Sequence, residues 1–176
     1  MSQGKFGTRL SWDQLFMKVA ETVSERTSCL YHHLGVVLVD DMHRIVSVGY
    51  NGPIRGEVNC SEVGCAKIHG DPETGMLKRC RGAHGEINAI INCIQPERLR
   101  GSTLYITEFP CFDCMKAMIQ VGVKEIVFKN IYRRVVSAEK KELETEAWEL
   151  ALKMNISLYH YDTEKDERIP IRDVPN

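Results

Sequence analysis

Residues 102–122 read STLYITEFPCFDCMKAMIQVG, and this stretch decides the fold. Thr103 to Thr107 (TLYIT) is short and rich in β-branched and aromatic residues, which predicts a strand. Cys111 to Val121 (CFDCMKAMIQV) predicts a helix that stops at Gly122. Pro110 suits the junction, because its ring presets φ and gives up an N–H that a helix start does not need. Cys111 and Cys114 are three apart, so they share one helix face, in the first turn. Unpaired N–H groups and the helix dipole there favour thiolate over thiol.

Upstream, His84 to Gln95 (HGEINAIINCIQ) predicts a helix ended by Pro96. Ser11-Trp12-Asp13-Gln14 is a capping box, and apolar residues follow at helical spacing to near Arg26. Leu34–Val39 predicts a buried strand, Asp40-Asp41 a turn, and Ile45–Gly49 the return strand of a hairpin. Downstream, Lys124–Phe128 predicts a strand, Ser137–Met154 a long charged amphipathic helix, and Ile156–Tyr161 a last strand. The order α-β-β-α-β-α-β-α-β implies an α/β fold: a mixed five-stranded sheet with helices on both faces. Residues 1–162 form one domain on this reading, and the acidic, Pro-containing residues 163–176 a peripheral C-terminal arm. Residues 50–81 form a long loop rich in Gly, Cys and charge. A loop of that length inside a compact domain is uncommon and usually functional, and its cysteines are the candidates to hold it in place.

The chain has 176 residues, enough to bury a core without disulfide staples. A net charge of −1 gives no footprint for a polyanion such as nucleic acid. The basic cluster from Lys129 to Arg134 reads either as a solvated face or as a small phosphate site. No secretory signal and no run of 18 apolar residues are visible, so the expectation is a cytoplasmic protein without a membrane span. Seven cysteines in such a chain suit metal binding better than disulfides.

A catalytic zinc takes three protein ligands and keeps a fourth position for water. His84, Cys111 and Cys114 supply such a set. Glu86, two residues from the histidine, is a non-ligand base that can take a water proton and pass it on. Hydroxide then adds at the carbon bearing an exocyclic amine, C4 of cytosine, and ammonia leaves. H-x-E with P-C-x-x-C is the recognised signature of zinc nucleobase deaminases. A purely structural zinc would not need Glu86, and neither would a zinc-stabilised interaction module.

From Ser11 to Tyr161 the chain resembles the deoxycytidylate deaminases of the cytidine deaminase superfamily. The resemblance is carried by SWDQLFMKVAETVSERTSC (11–29), LGVVLVD (34–40), GYNGPIRG (49–56), CRGAHGEINAII (80–91), STLYITEFPCFDCMKAMIQVGVKEIVF (102–128) and Tyr132. It implies a three-layer α/β/α fold and a homohexamer. It implies deamination of dCMP to dUMP, activation by dCTP with Mg²⁺ and inhibition by dTTP. A dual dCMP/dCTP deaminase and a nucleic-acid base deaminase are the alternatives, the second disfavoured by the slightly acidic charge. Gly85 departs from the family, which usually has Ala there; its N–H can still meet the pyrimidine O2. Asn51 matches a sugar-hydroxyl contact, or is a plain turn residue. Arg26 meets the phosphate or only ends a helix; Tyr132 and Arg133 follow a strand's C-terminal end and either bind the phosphate or are ordinary surface residues. Some phage members carry a second, structural zinc. Cys29 and Cys60 match two of its ligands, with Cys65 and Cys80 to complete it, or His69 in place of one cysteine; the other reading is free buried thiols. Cys93, His32, His33, His43 and His160 read as packing or surface residues.

Overall fold

The computed structural model describes residues 9–137 and 141–175. Helix α1 (Trp12–Ser24) starts where the Ser11 hydroxyl accepts a 3.0 Å hydrogen bond from the Gln14 N–H. Strand β1 (Gly35–Val39) is buried along its whole length and pairs antiparallel with β2 (Ile45–Tyr50). Two short strands, β3 (Gly52–Pro53) and β4 (Gly82–Ala83), pair with each other and close the base of the long loop, which holds the short helix α2 (Cys60–Val63). Helix α3 (Gly85–Asn92), strand β5 (Thr103–Glu108), helix α4 (Phe112–Val121) and strand β6 (Glu125–Asn130) follow. Gly122 ends α4 at φ 93°, a left-handed cap that glycine adopts without strain. The chain continues through β7 (Arg133–Val135), β8 (Lys141–Leu143), α5 (Glu146–Lys153), β9 (Ser157–Asp162) and β10 (Glu167–Ile171).

The main sheet runs β10-β9-β6-β5-β1-β2. β5, β6 and β9 are parallel; β1 and β10 join antiparallel, so the sheet is mixed. Alternation along the strands sends side chains to two cores. Val37, Val39, Tyr105 and Val127 meet Phe16 and Met17 of α1 on one face. Val36, Leu38, Ile106 and Phe128 face α3, α4 and α5 on the other. Three layers result, as the resemblance implies. The corner between β5 and α4 is pinned by Phe109, which stacks on Trp148 of α5 with ring centroids 3.6 Å apart. Both rings are buried, and truncating Trp148 to Ala removes roughly 3–5 kcal/mol of packing.

Two expectations are corrected. The sheet has six strands rather than five, because residues 167–171 of the expected peripheral arm pair with β9. Pro170 is tolerated there because β10 is an edge strand. Arg168 anchors it, donating to Asp13 at 2.6 Å and to Glu125 at 2.9 Å. Among the described residues, the helix expected over 137–154 is confined to Glu146–Lys153. Residues 138–140 lie outside the described residues, and Lys141–Leu143 pair with β7. Leu143 is the one bulky apolar residue between 137 and 145, so a helix there would have no face to bury. No helix of the described residues is long and apolar enough to cross a membrane.

Candidate active site

Among the described residues, one group brings three metal-ligand donor atoms within 4.8 Å of one another: His84, Cys111 and Cys114. His84 is the cap residue of α3, Cys111 is the cap residue of α4, and Cys114 lies in the first turn of α4. His84 Nδ1 is 3.4 Å from Cys111 Sγ and 3.3 Å from Cys114 Sγ. Tetrahedral zinc, with Zn–N about 2.0 Å and Zn–S about 2.3 Å, separates N from S by about 3.5 Å. The donor set therefore fits zinc in both chemistry and spacing.

The charges of the site are coupled. Cys111 is held low, at about 4, by the hydrogen bond from Cys114 and by the His84 ring. Its thiolate raises His84 to about 9 and, with burial, pushes the Cys114 thiol up. Metal coordination displaces these protons and leaves both sulfurs as thiolates. Glu86 lies beside them, 1% exposed, and its Oε2 has no hydrogen-bond partner. Burial first, and the Cys111 thiolate second, lift its carboxyl to about 7. A buried carboxyl with one oxygen left unpaired is costly, and such groups concentrate where protons are moved.

Helix α3 is seated closely on β2. A Cβ on Gly49 would stand 2.2 Å from the Gly85 carbonyl oxygen, so only glycine allows this approach. The Ser47 hydroxyl donates to the Ala89 carbonyl at 2.6 Å, and Asn88 Nδ2 donates to the Tyr50 carbonyl at 2.8 Å. Gly85 itself is explained by its neighbours. A Cβ there would lie 3.0 Å from Leu34 Cδ2 and 3.2 Å from Val36 Cγ2, a crowded fit.

A cavity opens beside the three donors, lined in part by Glu86, Asn51 and Tyr132. Asn51 also works inside the protein: its Oδ1 accepts from the Leu34 N–H and its Nδ2 donates to the His32 carbonyl, both at 2.9 Å. Arg26 is exposed in a neighbouring groove that shares Gly52 and Pro53 with the cavity. Arg133 is exposed in β7 and lines neither. Cys29, Cys60 and Cys80 line the same cavity, while Cys65 is buried in the loop. These four do not form a second group of three donors within 4.8 Å. Both His69 nitrogens are engaged, Nδ1 with the Cys65 N–H at 3.1 Å and Nε2 with the Tyr31 hydroxyl at 2.8 Å. Two residues escaped the sequence reading. His32 and Glu108 line the cavity and bond each other at 2.7 Å. They are 76 positions apart, and no local motif signals the pairing.

The family model describing the cytidine and deoxycytidylate deaminase zinc-binding region matches residues 10–130. The deoxycytidylate deaminase of Schizosaccharomyces pombe is 34% identical over 125 residues, 70% of this chain and 38% of that protein. This chain thus spans about two-fifths of the length of the fission yeast relative. The deoxycytidylate deaminase of Mycobacterium phage D29 is 32% identical over 126 residues, 69% of this chain and 96% of the phage protein. The crystal structure of dCMP deaminase from cyanophage S-TIM5 in complex with dCMP and dUMP superposes with a TM-score of 0.64. It is 26% identical and covers 84% of this chain and 94% of that one. The matched segment runs from α1 to the end of β6 and contains the whole donor triad, so the chain belongs to the cytidine and deoxycytidylate deaminase family.

Proposed function

We propose that this chain hydrolyses dCMP to dUMP and ammonia. One observation carries the reading: Glu86, fully buried and with an unpartnered oxygen, lies two residues from the histidine of a zinc-type donor triad. His84, Cys111 and Cys114 hold the metal. When bound, zinc supplies Lewis-acid activation of water. Glu86 takes one proton from water to the pyrimidine ring nitrogen, where it stays, and then carries the proton of the new C4 hydroxyl to the amine, so that the C4–N bond breaks, C4=O forms and ammonia leaves. The Gly85 N–H, at the open start of α3, meets the pyrimidine O2. Asn51 contacts the sugar hydroxyl with the donor and acceptor capacity its internal bonds leave over. Arg26, at the end of α1, and Tyr132 and Arg133, after the C-terminal end of β6, are the candidates for the phosphate, since a guanidinium fork donates two hydrogen bonds to it.

Activation by dCTP with Mg²⁺, inhibition by dTTP, a homohexamer and a cytoplasmic location belong to the same reading and rest on the resemblance alone. A second zinc on Cys29, Cys60, Cys65 and Cys80 is supported by their mutual proximity: the Cys60 thiol is raised by burial and also by the charges of the other three. Its ligands would have to draw together on binding.

The test is a substrate panel of dCMP, dCTP, deoxycytidine and short single-stranded DNA with the zinc-loaded protein, read as ammonia release. Turnover highest on dCMP is expected. Turnover confined to DNA or to the free nucleoside would overturn the reading.

A further inference from the structure

Cys111 stands between two clamps that come from one short segment of chain. On its N-terminal side Phe109 is fixed: the N–H donates to the Asn130 carbonyl at 2.8 Å, and the ring stacks on Trp148. On its C-terminal side the Phe112 N–H donates to Glu144 Oε2 at 3.2 Å. Glu144 lies in the link between β8 and α5, four residues before Trp148. Residues 144–148 therefore grip both flanks of the corner that carries the first metal-ligating cysteine.

The start of α4 explains why the second clamp comes from so far along the chain. Its first intrahelical bond runs from the Met115 N–H to the Cys111 carbonyl at 2.8 Å. The N–H groups just before Met115 have no partner inside the helix. A Ser, Thr, Asp or Asn at the cap position normally supplies an oxygen for one of them. Here the cap residue is Cys111, and its side chain makes no capping hydrogen bond. A sulfur committed to a metal cannot serve as a cap, so the oxygen is carried in by Glu144, 32 positions from Phe112.

The charge of Glu144 also reaches the site. Its carboxyl is half-buried, and burial first, then the Cys111 thiolate, push it up, while the Phe112 N–H and Arg134 hold it down. The carboxylate is thus within electrostatic range of the sulfur, and negative charge behind a ligand favours a bound cation. Groups that orient a metal ligand from behind commonly change metal affinity or activity 10- to 100-fold when they are lost. The Phe112 ring packs against the main core, so the first residue of α4 is held by its side chain as well as by its N–H.

We infer that Glu144 is a positioning residue for the metal: through the Phe112 N–H it fixes the start of α4, and with it the direction in which Cys111 presents its sulfur to the site of His84 and Cys114. This rests on the reading of those three residues as metal ligands and not on the identity of the substrate. Cobalt(II) and zinc(II) titrations of the full chain test it. Cys111→Ser identifies the thiolate-to-cobalt absorption that belongs to the triad. Followed at that absorption, Glu144→Ala is expected to bind cobalt about 10- to 100-fold more weakly, and zinc likewise when it displaces the cobalt. The visible cobalt bands, which report on tetrahedral geometry, are expected to change in intensity. Glu144→Gln keeps an oxygen for the Phe112 N–H and is expected to recover most of the affinity. Glu144→Met keeps the bulk without the oxygen and carries the same test where Glu144→Ala does not fold. Parental affinity and spectrum in the Ala or Met variant, with only the melting temperature of the metal-free protein lowered, would make Glu144 a plain helix cap and overturn the inference alone. A parent chain without any Cys111-dependent absorption would overturn the metal reading of the triad and the inference with it.

Discussion

Asn51 clamps the chain at Leu34: its Oδ1 accepts the Leu34 N–H at 2.9 Å while its Nδ2 holds the His32 carbonyl at the same distance. A residue matched by resemblance to a sugar contact is therefore also a structural bracket. It joins the end of β2 to the start of β1 at the wall of the cavity.

Asn51→Ala leaves a part-buried N–H and C=O without these partners, at about 1–3 kcal/mol. The variant is expected to unfold at lower urea and also to lose activity. A variant that lost activity at unchanged midpoint would restrict Asn51 to substrate contact.

Glu86→Gln keeps the shape of the side chain and removes the proton carrier. Turnover is expected to fall by at least about 10²–10⁴-fold, the usual contribution of a general acid–base. Zinc, measured by metal analysis, should stay bound. Because the carboxyl is buried without a partner on Oε2, the melting temperature of the metal-free protein should not fall. Loss of zinc or of fold in this variant would show Glu86 to be structural.

Chelation should abolish activity and lower the melting temperature, since binding energy at a site built by folding is folding energy. Metal analysis of the intact chain is expected to give about two zinc ions, one of them lost in a Cys60→Ser, Cys65→Ser double variant that retains turnover. A ratio of one would rule out the second centre.

Gly85→Ala forces a Cβ against Leu34 and Val36. Overpacking of this kind costs about 1 kcal/mol or more. Leu34→Val in the same chain should recover part of it, so the two substitutions are expected to couple in a double-mutant cycle. Simple additivity in chemical denaturation would contradict the crowding explanation for glycine at this position.

Arg168→Ala removes the cation shared by Asp13 and Glu125 and should loosen β10 from the sheet edge. A loss of roughly 1–3 kcal/mol is expected, with hydrogen-exchange protection lost first at residues 167–171. Full protection there in the variant would show that main-chain pairing alone keeps the strand in place.

Much of this molecule was legible from residue type and spacing. The donor triad and Glu86 could be read because a catalytic zinc demands a few residue types at helix starts, and β5 and α4 flank the cysteines unmistakably. The His32–Glu108 pair was not legible, because each residue alone resembles an ordinary surface polar group and only the sheet brings them together. β10 was missed because Glu167-Arg168-Ile169-Pro170-Ile171 has a proline and two charges, acceptable only at an edge. The excess helix before Glu146 came from extending an amphipathic pattern through residues with little to bury. Tetrahedral closure of Cys29 with the three loop cysteines could not be inferred from their number, since sequence spacing does not report distances across a long loop.

The placement of the metal ligands has a kinetic consequence. His84 opens α3, Cys111 and Cys114 open α4, and between those helices in the chain lies β5, which must insert beside β1 and β6 before the two helix starts can meet. The donors are 27 and 30 residues apart, so closing the triad is a non-local event. A metal ion added during refolding is therefore expected to gain its third ligand late, once β5 has joined β1 and β6 and brought the two helix starts together.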